Sequence, residues 1–315
     1  MGSFYRRTCV RGVPRRPVAR HGVLLCRRRA FRAARSNRIP PVIIDSLTSL
    51  DDPRVAEYRN VPDPVLLRDR GLFVAEGRLV VRHLLSSTRF GLRSLLVSPT
   101  ALESLKDLTD ARPDVPVYVA PVDLLSSIVG FNMHRGCLAV CERPANQTLA
   151  ATLAQASASR LIVVAEQVAN ADNMGGLFRN AMAFGAGAVM LSPGCCDPLY
   201  RKAVRVSIGG TLRVPFAVID EWPSGLASLR QAGYTLVGLT PDAHALELGA
   251  WAFQGRRPGR IALVLGHEGS GLSEAALAMV DEKVRIEMAA GVDSLNVATA
   301  AGVAMYACSG LWRHA

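Results

Sequence analysis

The first 38 residues lack any Asp or Glu, and the remaining 277 lack any excess of positive charge. Twelve of the 37 basic side chains are leader arginines, so the other 25 stand against all 26 acidic residues. The formal net charge of +11 therefore belongs to the leader, and it does not mark the body of the chain as a nucleic-acid binder. No run of about 18 uninterrupted apolar residues occurs, so no membrane-spanning helix is expected. The seven Cys include no CxxC pair and no His at zinc-finger spacing, which excludes a zinc module and a disulfide scaffold and predicts a reduced intracellular protein. Cys195 and Cys196 follow the turn signal Pro193-Gly194; adjacent thiols seldom share one ion, so both are read as cysteines without a metal role. The apolar run Leu161 to Ala165 leads into Glu166 to Asn173 without a Gly-x-Gly-x-x-Gly turn, which argues against a dinucleotide-binding loop.

Half of the 315 residues are hydrophobic, enough for a sizeable core, and the length predicts two domains. The Arg-rich leader, residues 1–40, is expected to be disordered and dispensable for chemistry. Three readings of it stay open: a basic arm that grips phosphate, an organelle-targeting peptide, or upstream sequence included by a misplaced start. Residues 41–143 mix short strands with amphipathic helices. Strands are expected at Ser94 to Ser98, Val115 to Ala120 and Gly136 to Cys141, and Arg78 to Leu85 has the apolar spacing of a helix face. A polar, Pro-bearing stretch opens a linker at 144–158. From 159 to 315 strand and helix signals alternate, as in a mainly parallel sheet covered on both faces. The strands are expected at Leu161 to Ala165, Ala188 to Ser192, Val214 to Val218, Thr235 to Leu239, Ile261 to Leu265 and Val284 to Met288. Helices are expected near 174–184, 198–207, 224–232, 273–281 and 295–312.

The most informative stretch runs from Glu287 to Tyr306, where Asp293-Ser294 and Asn296 stand directly before an Ala-rich helical run. Such side chains cap free N–H groups and present polar atoms at the positive end of the helix dipole. Two further polar segments precede it: Asn170-Ala-Asp-Asn-Met-Gly-Gly-Leu-Phe-Arg179 and Ile261-Ala-Leu-Val-Leu-Gly-His-Glu-Gly-Ser-Gly271. In order and spacing, the three resemble the signature motifs of the SpoU (TrmH-type) RNA ribose 2′-O-methyltransferases of the SPOUT superfamily. The resemblance covers residue 160 to the C-terminus. A looser one, carried by Phe73-Val-Ala-Glu-Gly77 and Gly130 to Gly136, links 41–143 to the small RNA-binding domain similar to ribosomal protein L30e.

The resemblance implies an α/β fold with a trefoil-knotted parallel-sheet SPOUT catalytic domain behind an L30e-like domain, S-adenosylmethionine as cofactor, RNA as partner, and a homodimer without metal or membrane. It matches Asn173, Arg179, Glu268, Ser294 and Asn296 to catalytic positions, and Gly266, Ile286 and Leu295 to cofactor contacts. Lys202 and Arg205, on a basic helix between the motifs, become candidates for RNA phosphate, with a solvated helix face as the competing reading. A guanidinium stays charged at any working pH, so Arg179 is assigned an electrostatic role on the phosphate and the hydroxyl rather than that of a general base. His267 is read as a variable loop residue. The family commonly carries Pro where Ala171 and Glu287 stand here, which weakens any claim about loop rigidity. The expected activity is methyl transfer to a ribose 2′-hydroxyl of ribosomal RNA in the cytoplasm. The alternatives are a tRNA target, a catalytically idle ribosome-assembly factor, and a mitochondrial location if the leader is a targeting peptide.

Overall fold

A computed structural model describes residues 44–59, 62–130, 132–133, 136–253 and 258–309. The leader at 1–40 and part of the 130–136 phrase lie outside the described residues.

The first half builds a five-stranded sheet from β1 (Ile44–Ser46), β2 (Leu72–Glu76), β3 (Leu92–Val97), β4 (Val117–Val119) and β5 (Cys137–Glu142), in the order β1-β4-β3-β5-β2. Strand β5 runs antiparallel to both its neighbours, β2 and β3, while β1, β4 and β3 are parallel. Four helices accompany it: α1 (Asp63–Arg70), α2 (Arg78–Ser86), α3 (Pro99–Thr109) and α4 (Val122–Val129). Alternate residues divide between two cores, as the two-residue period of a strand requires. Phe73 and Ala75 join α2 and α3 residues such as Leu84 and Leu105, whereas Leu72 and Val74 join Leu66 of α1 and Leu125 of α4.

Residue Thr148 caps α5 (Leu149–Gln155) by accepting the Ala151 N–H at 3.2 Å. Within the expected linker over 144–158, the residues up to Thr148 carry no regular secondary structure, and the second half is a helix packed near β8, the edge strand of the second sheet. That sheet comprises β6 (Leu161–Ala165), β7 (Val189–Leu191), β8 (Phe216–Val218), β9 (Thr235–Leu239), β10 (Leu246–Glu247), β11 (Ile261–Leu265) and β12 (Glu282–Arg285). Its order is β10-β12-β9-β11-β6-β7-β8, and every pairing is parallel.

The helices between these strands are α6 (Ala171–Ala183), α7 (Arg201–Val206), α8 (Gly210–Arg213), α9 (Leu226–Gln231), α10 (Leu248–Phe253), α11 (Glu274–Met279) and α12 (Val297–Ser309). Leu161, Val163 and Ala165 of β6 face a core shared with α6, α10 and α12; Ile162 and Val164 face one shared with α9 and α11. Both faces are covered, which is why β6 and β11 read as unbroken apolar runs rather than alternating ones. The chain steps from β6 outward through β7 to β8, then crosses to β9 on the far side of β11. The reversal falls at the β6–β11 pair, and crevices at such reversals, beyond the carboxyl ends of the strands, are where open parallel sheets bind ligands.

The two sheets are fastened side by side. Leu199, Val204 and Leu212 from the second half complete the core around Phe73 and Leu84. Asp63 accepts the Arg201 N–H at 2.9 Å, Arg89 donates to the Leu212 carbonyl at 3.0 Å, and Arg143 pairs with Asp197.

Candidate active site

One strand-end loop, after β11, and two helix entries, at α6 and α12, assemble the polar cluster. Asn170 starts α6 by accepting the Asp172 N–H at 2.7 Å, which fixes the first turn and places Asn173 on it. The Asn173 amide donates to Glu268 Oε1 at 2.8 Å, and Asn173 Oδ1 accepts from the Asn296 amide, also at 2.8 Å. Asn296 Oδ1 in turn accepts the N–H groups of Ala298 and Thr299 at 3.0 and 3.2 Å. One chain of hydrogen bonds thus runs from the positive end of α12 through two amides to a carboxylate. Its direction requires Glu268 to be an acceptor at Oε1. The two Asn orientations follow from the same bookkeeping, because each amide oxygen faces donors and each NH₂ faces an acceptor.

Close helix packing holds that chain in register. A Cβ added to Gly176 would lie 2.7 Å from the Ala298 Cβ, so the small residues let α12 sit directly on α6. Asn180 donates to the Ala298 carbonyl at 2.7 Å and braces the same contact. On the other side of α6, a Cβ at Gly175 would come 2.8 Å from the Ala203 carbonyl oxygen, which seats α7 equally closely.

A cavity of about 280 Å³ opens beside the cluster, at the carboxyl ends of β9, β11 and β12. Its lining includes Gly266, Ile286 and Leu295, the three expected cofactor contacts, and also Glu268 and Ser294. Gly266 has no room for a side chain, since a Cβ would stand 2.1 Å from the Gly271 carbonyl carbon. Leu239, Thr240 and Pro241 line the cavity as well. Nothing in the sequence pointed to them except their place at the end of an expected strand.

Other expected site residues stand differently. The Arg179 side chain is exposed on α6 and makes no hydrogen bond or ion pair among the described residues. On the helical wheel of α6 it lies between Gly175 and Gly176, and thus between the surfaces that meet α7 and α12, and helical side chains lean toward the N-terminal turn. Lys202 forms an ion pair with Asp172 at 2.6 Å, and Arg205 reaches Glu76 of the first sheet at 3.4 Å. Both cations therefore have carboxylate partners.

Cys196 neighbours the cluster. Burial pushes its thiol up to about 12, with the charges of Cys195, Asp197 and Glu268 adding to the effect. Cys195 Sγ donates to the Ala165 carbonyl at 3.3 Å, and among the described residues no group of His, Cys, Asp and Glu forms a metal centre. Glu166, buried at the end of β6, accepts from the Trp222 indole N–H at 2.7 Å and from Ser273 through both its N–H (2.9 Å) and its hydroxyl (2.6 Å). It ties β6 to the start of α11 beneath the cavity loops.

A reversed parallel sheet with a cavity and a carboxylate–amide chain at its carboxyl edge defines a class of α/β protein that binds its ligand on strand-end loops. The SpoU rRNA Methylase family matches residues 160–306. An uncharacterized tRNA/rRNA methyltransferase of Mycobacterium bovis is 41% identical over 260 residues, which span 81% of this chain and 88% of that protein. The chain belongs to the SpoU methylase family. A 23S rRNA (guanosine-2′-O-)-methyltransferase of Acinetobacter baylyi is 31% identical over 196 residues, 61% of this chain and 77% of the relative. Among solved structures, an AdoMet-bound rRNA methyltransferase from Sinorhizobium meliloti shares the fold with a TM-score of 0.70 at 22% identity, covering 86% of this chain and 98% of that one.

Proposed function

We propose that this chain methylates a ribose 2′-hydroxyl of ribosomal RNA, using S-adenosylmethionine held in the cavity between the β9, β11 and β12 loops. Family membership supports the chemistry, and the relative acting on 23S rRNA favours the ribosomal target over tRNA. The observation that carries the reading is the hydrogen-bond chain Glu268–Asn173–Asn296, which joins all three motifs beside a cavity lined by Gly266, Ile286 and Leu295. An idle binding protein has no need of that convergence.

The residues fit the donor. The lining is mostly backbone and apolar side chain, as suits an adenosine and a thioether, and the donor would supply an activated methyl group there. Glu268 and the two Asn amides hold one another rigid, so the groups facing the substrate need no reorganisation during reaction. Glu268 Oε2 bears no hydrogen bond among the described residues and is an open acceptor. Arg179, exposed and unpaired, is free to bind a phosphate and polarise the hydroxyl; Ser294, on the cavity wall, is placed to orient it. Lys202 and Arg205 contact phosphate only by leaving or sharing their present carboxylate partners.

Residues after β12, among them Ile286, Met288, Ser294 and Leu295, line the cavity together with the loops after β9 and β11, which supports reading the C-terminal segment as the trefoil knot of the superfamily. The first sheet is read as the L30e-like RNA-binding domain. Val303 and Tyr306, 43% and 46% exposed on α12, supply an apolar face for a homodimer. Residues 1–40, 41–143, 144–158 and 159–315 remain the proposed leader, RNA-binding domain, connection and catalytic domain, and the cytoplasm the proposed location.

The decisive experiment incubates the protein with radiolabelled S-adenosylmethionine and separated large-subunit, small-subunit and transfer RNAs, then maps the modified ribose. Label in large-subunit RNA alone is expected. Arg179→Ala should bind the donor with near-normal affinity yet lose most transfer; equal turnover by the variant removes Arg179 from the mechanism.

A further inference from the structure

The β11 loop carries a second device that neither the motifs nor the reading above assigns. Its ends are joined by a two-bond bridge, His267 N–H to the Gly271 carbonyl at 3.0 Å and Gly271 N–H to the His267 carbonyl at 3.1 Å. Inside that bridge, the His267 ring turns back on its own loop. Nδ1 accepts the Gly269 N–H at 2.9 Å and the Ser270 N–H at 3.3 Å. A ring nitrogen accepts only when it carries no proton, so the tautomer is fixed with hydrogen on Nε2, which stands 3.9 Å from Glu268 Oε2. His267 is thus not a base acting through Nδ1, whose lone pair is already spent on the backbone.

We propose that His267 is a positioning residue whose Nδ1 clamps the Gly269–Ser270 backbone, giving the Gly266–Leu272 wall its shape before the methyl donor arrives. The assignment rests on the donor-binding reading of that cavity. Two features make the loop dependent on such a clamp. Gly269 and Gly271 flank Ser270, and glycines lose the most conformational freedom on ordering. The same loop presents Glu268 to Asn173, so a loose wall also loosens the carboxylate. An Asn in this place can do the same work, because an amide oxygen reaches the N–H two residues ahead.

Calorimetric titration of S-adenosylmethionine into the wild type, H267A and H267N tests the clamp. H267A should bind about 10-fold more weakly, and H267N within about 3-fold of wild type. In steady state the H267A effect should fall mainly on the KM for the donor, with a smaller loss in kcat. Without donor, amide exchange at Gly269 and Ser270 should quicken in H267A and return toward wild type in H267N. Equal affinity of H267A and wild type overturns the proposal, as does equal weakening in both variants, which would assign the effect to ring bulk. If the wild type binds no donor, the reading of the cavity fails instead, and the exchange measurement still decides whether the clamp exists.

Discussion

The two sheets are covered by helices on both faces in the same way, yet only one gathers chemistry at an edge. In the seven-stranded sheet every pairing is parallel, so all the strand-end loops that follow β6, β9, β11 and β12 emerge together. Residues as distant as Asn173, Thr240, Glu268 and Ser294 thereby meet within one region. In the five-stranded sheet β1, β2, β3 and β4 also share one direction and only β5 runs against them, so the loops after those four strands leave by one edge as well, without a comparable chain of polar side chains among the described residues. Its buried carboxylate, Glu76, is spent on the neighbouring sheet through Arg205 rather than on a site of its own. Parallel strands bring loops to one edge in both sheets; the polar side chains those loops and helix entries carry, Asn173, Glu268 and Asn296 in the second sheet, decide where a candidate site forms.

That contrast is broken most severely at the hydrogen-bond chain. Asn173→Ala leaves Glu268 Oε1 without its donor and the Asn296 amide N–H without its acceptor, while Asn296 still caps α12, and transfer should fall by about 100-fold or more, the scale of losing one preorganised group. Because the cluster is only partly buried, the melting temperature should move by no more than about 4 °C, near 1 kcal/mol. Turnover close to wild type in a single-turnover assay would show that the chain is structural capping and nothing more.

The next effect belongs to the other sheet and reverses the pattern. Arg205→Ala leaves the Glu76 carboxylate, 7% exposed, without its cation, whereas Lys202→Ala removes a pair whose members are 52% and 48% exposed. About 1–3 kcal/mol of stability should go with Arg205, its half-exposed position discounting the figure for a fully buried pair, and less than about 1 kcal/mol with Lys202. Urea midpoints measure both. If instead Arg205 serves RNA phosphate, its loss should leave the midpoint unchanged and flatten the salt dependence of RNA binding by about one counterion.

The sequence made the parallel sheet legible because strands buried on both faces are continuous apolar runs: β6, β9 and β11 have the expected limits. β12 did not. Val284, Ile286 and Met288 alternate like a strand, but the strand is Glu282–Arg285, and the last two apolar side chains line the cavity instead. Periodicity cannot distinguish burial in a sheet from burial against a ligand site. The helix α5 was hidden for a different reason, since seven residues rich in Ala carry little amphipathic signal and the preceding Pro144 suggested a tether. At the candidate site, motif order singled out Asn173, Glu268 and Asn296, and the structure adds the hydrogen bonds that join them. The partners of Lys202 and Arg205, 30 and 129 residues away in the chain, are tertiary facts that no local pattern encodes.

The smallest expected effect concerns thiols and compares the two sheets directly. Cys137 lies in the core of the first sheet and Cys196 beside Glu268 in the second, yet burial raises both to about 12. At pH 8 neither offers an appreciable thiolate, so both should react with an alkylating reagent far more slowly in the native protein than in urea. A thiol whose pKa is higher folded than unfolded binds its proton more tightly when native. Its contribution to stability is therefore complete below the usual value of 9.0 and is lost as pH rises from there toward 12. Mass spectrometry of the alkylated native protein separates the two sites. Rapid labelling at Cys196 with Cys137 protected would mean that the loop after β7 opens to solvent, and that the edge holding the site is looser than the sheet behind it.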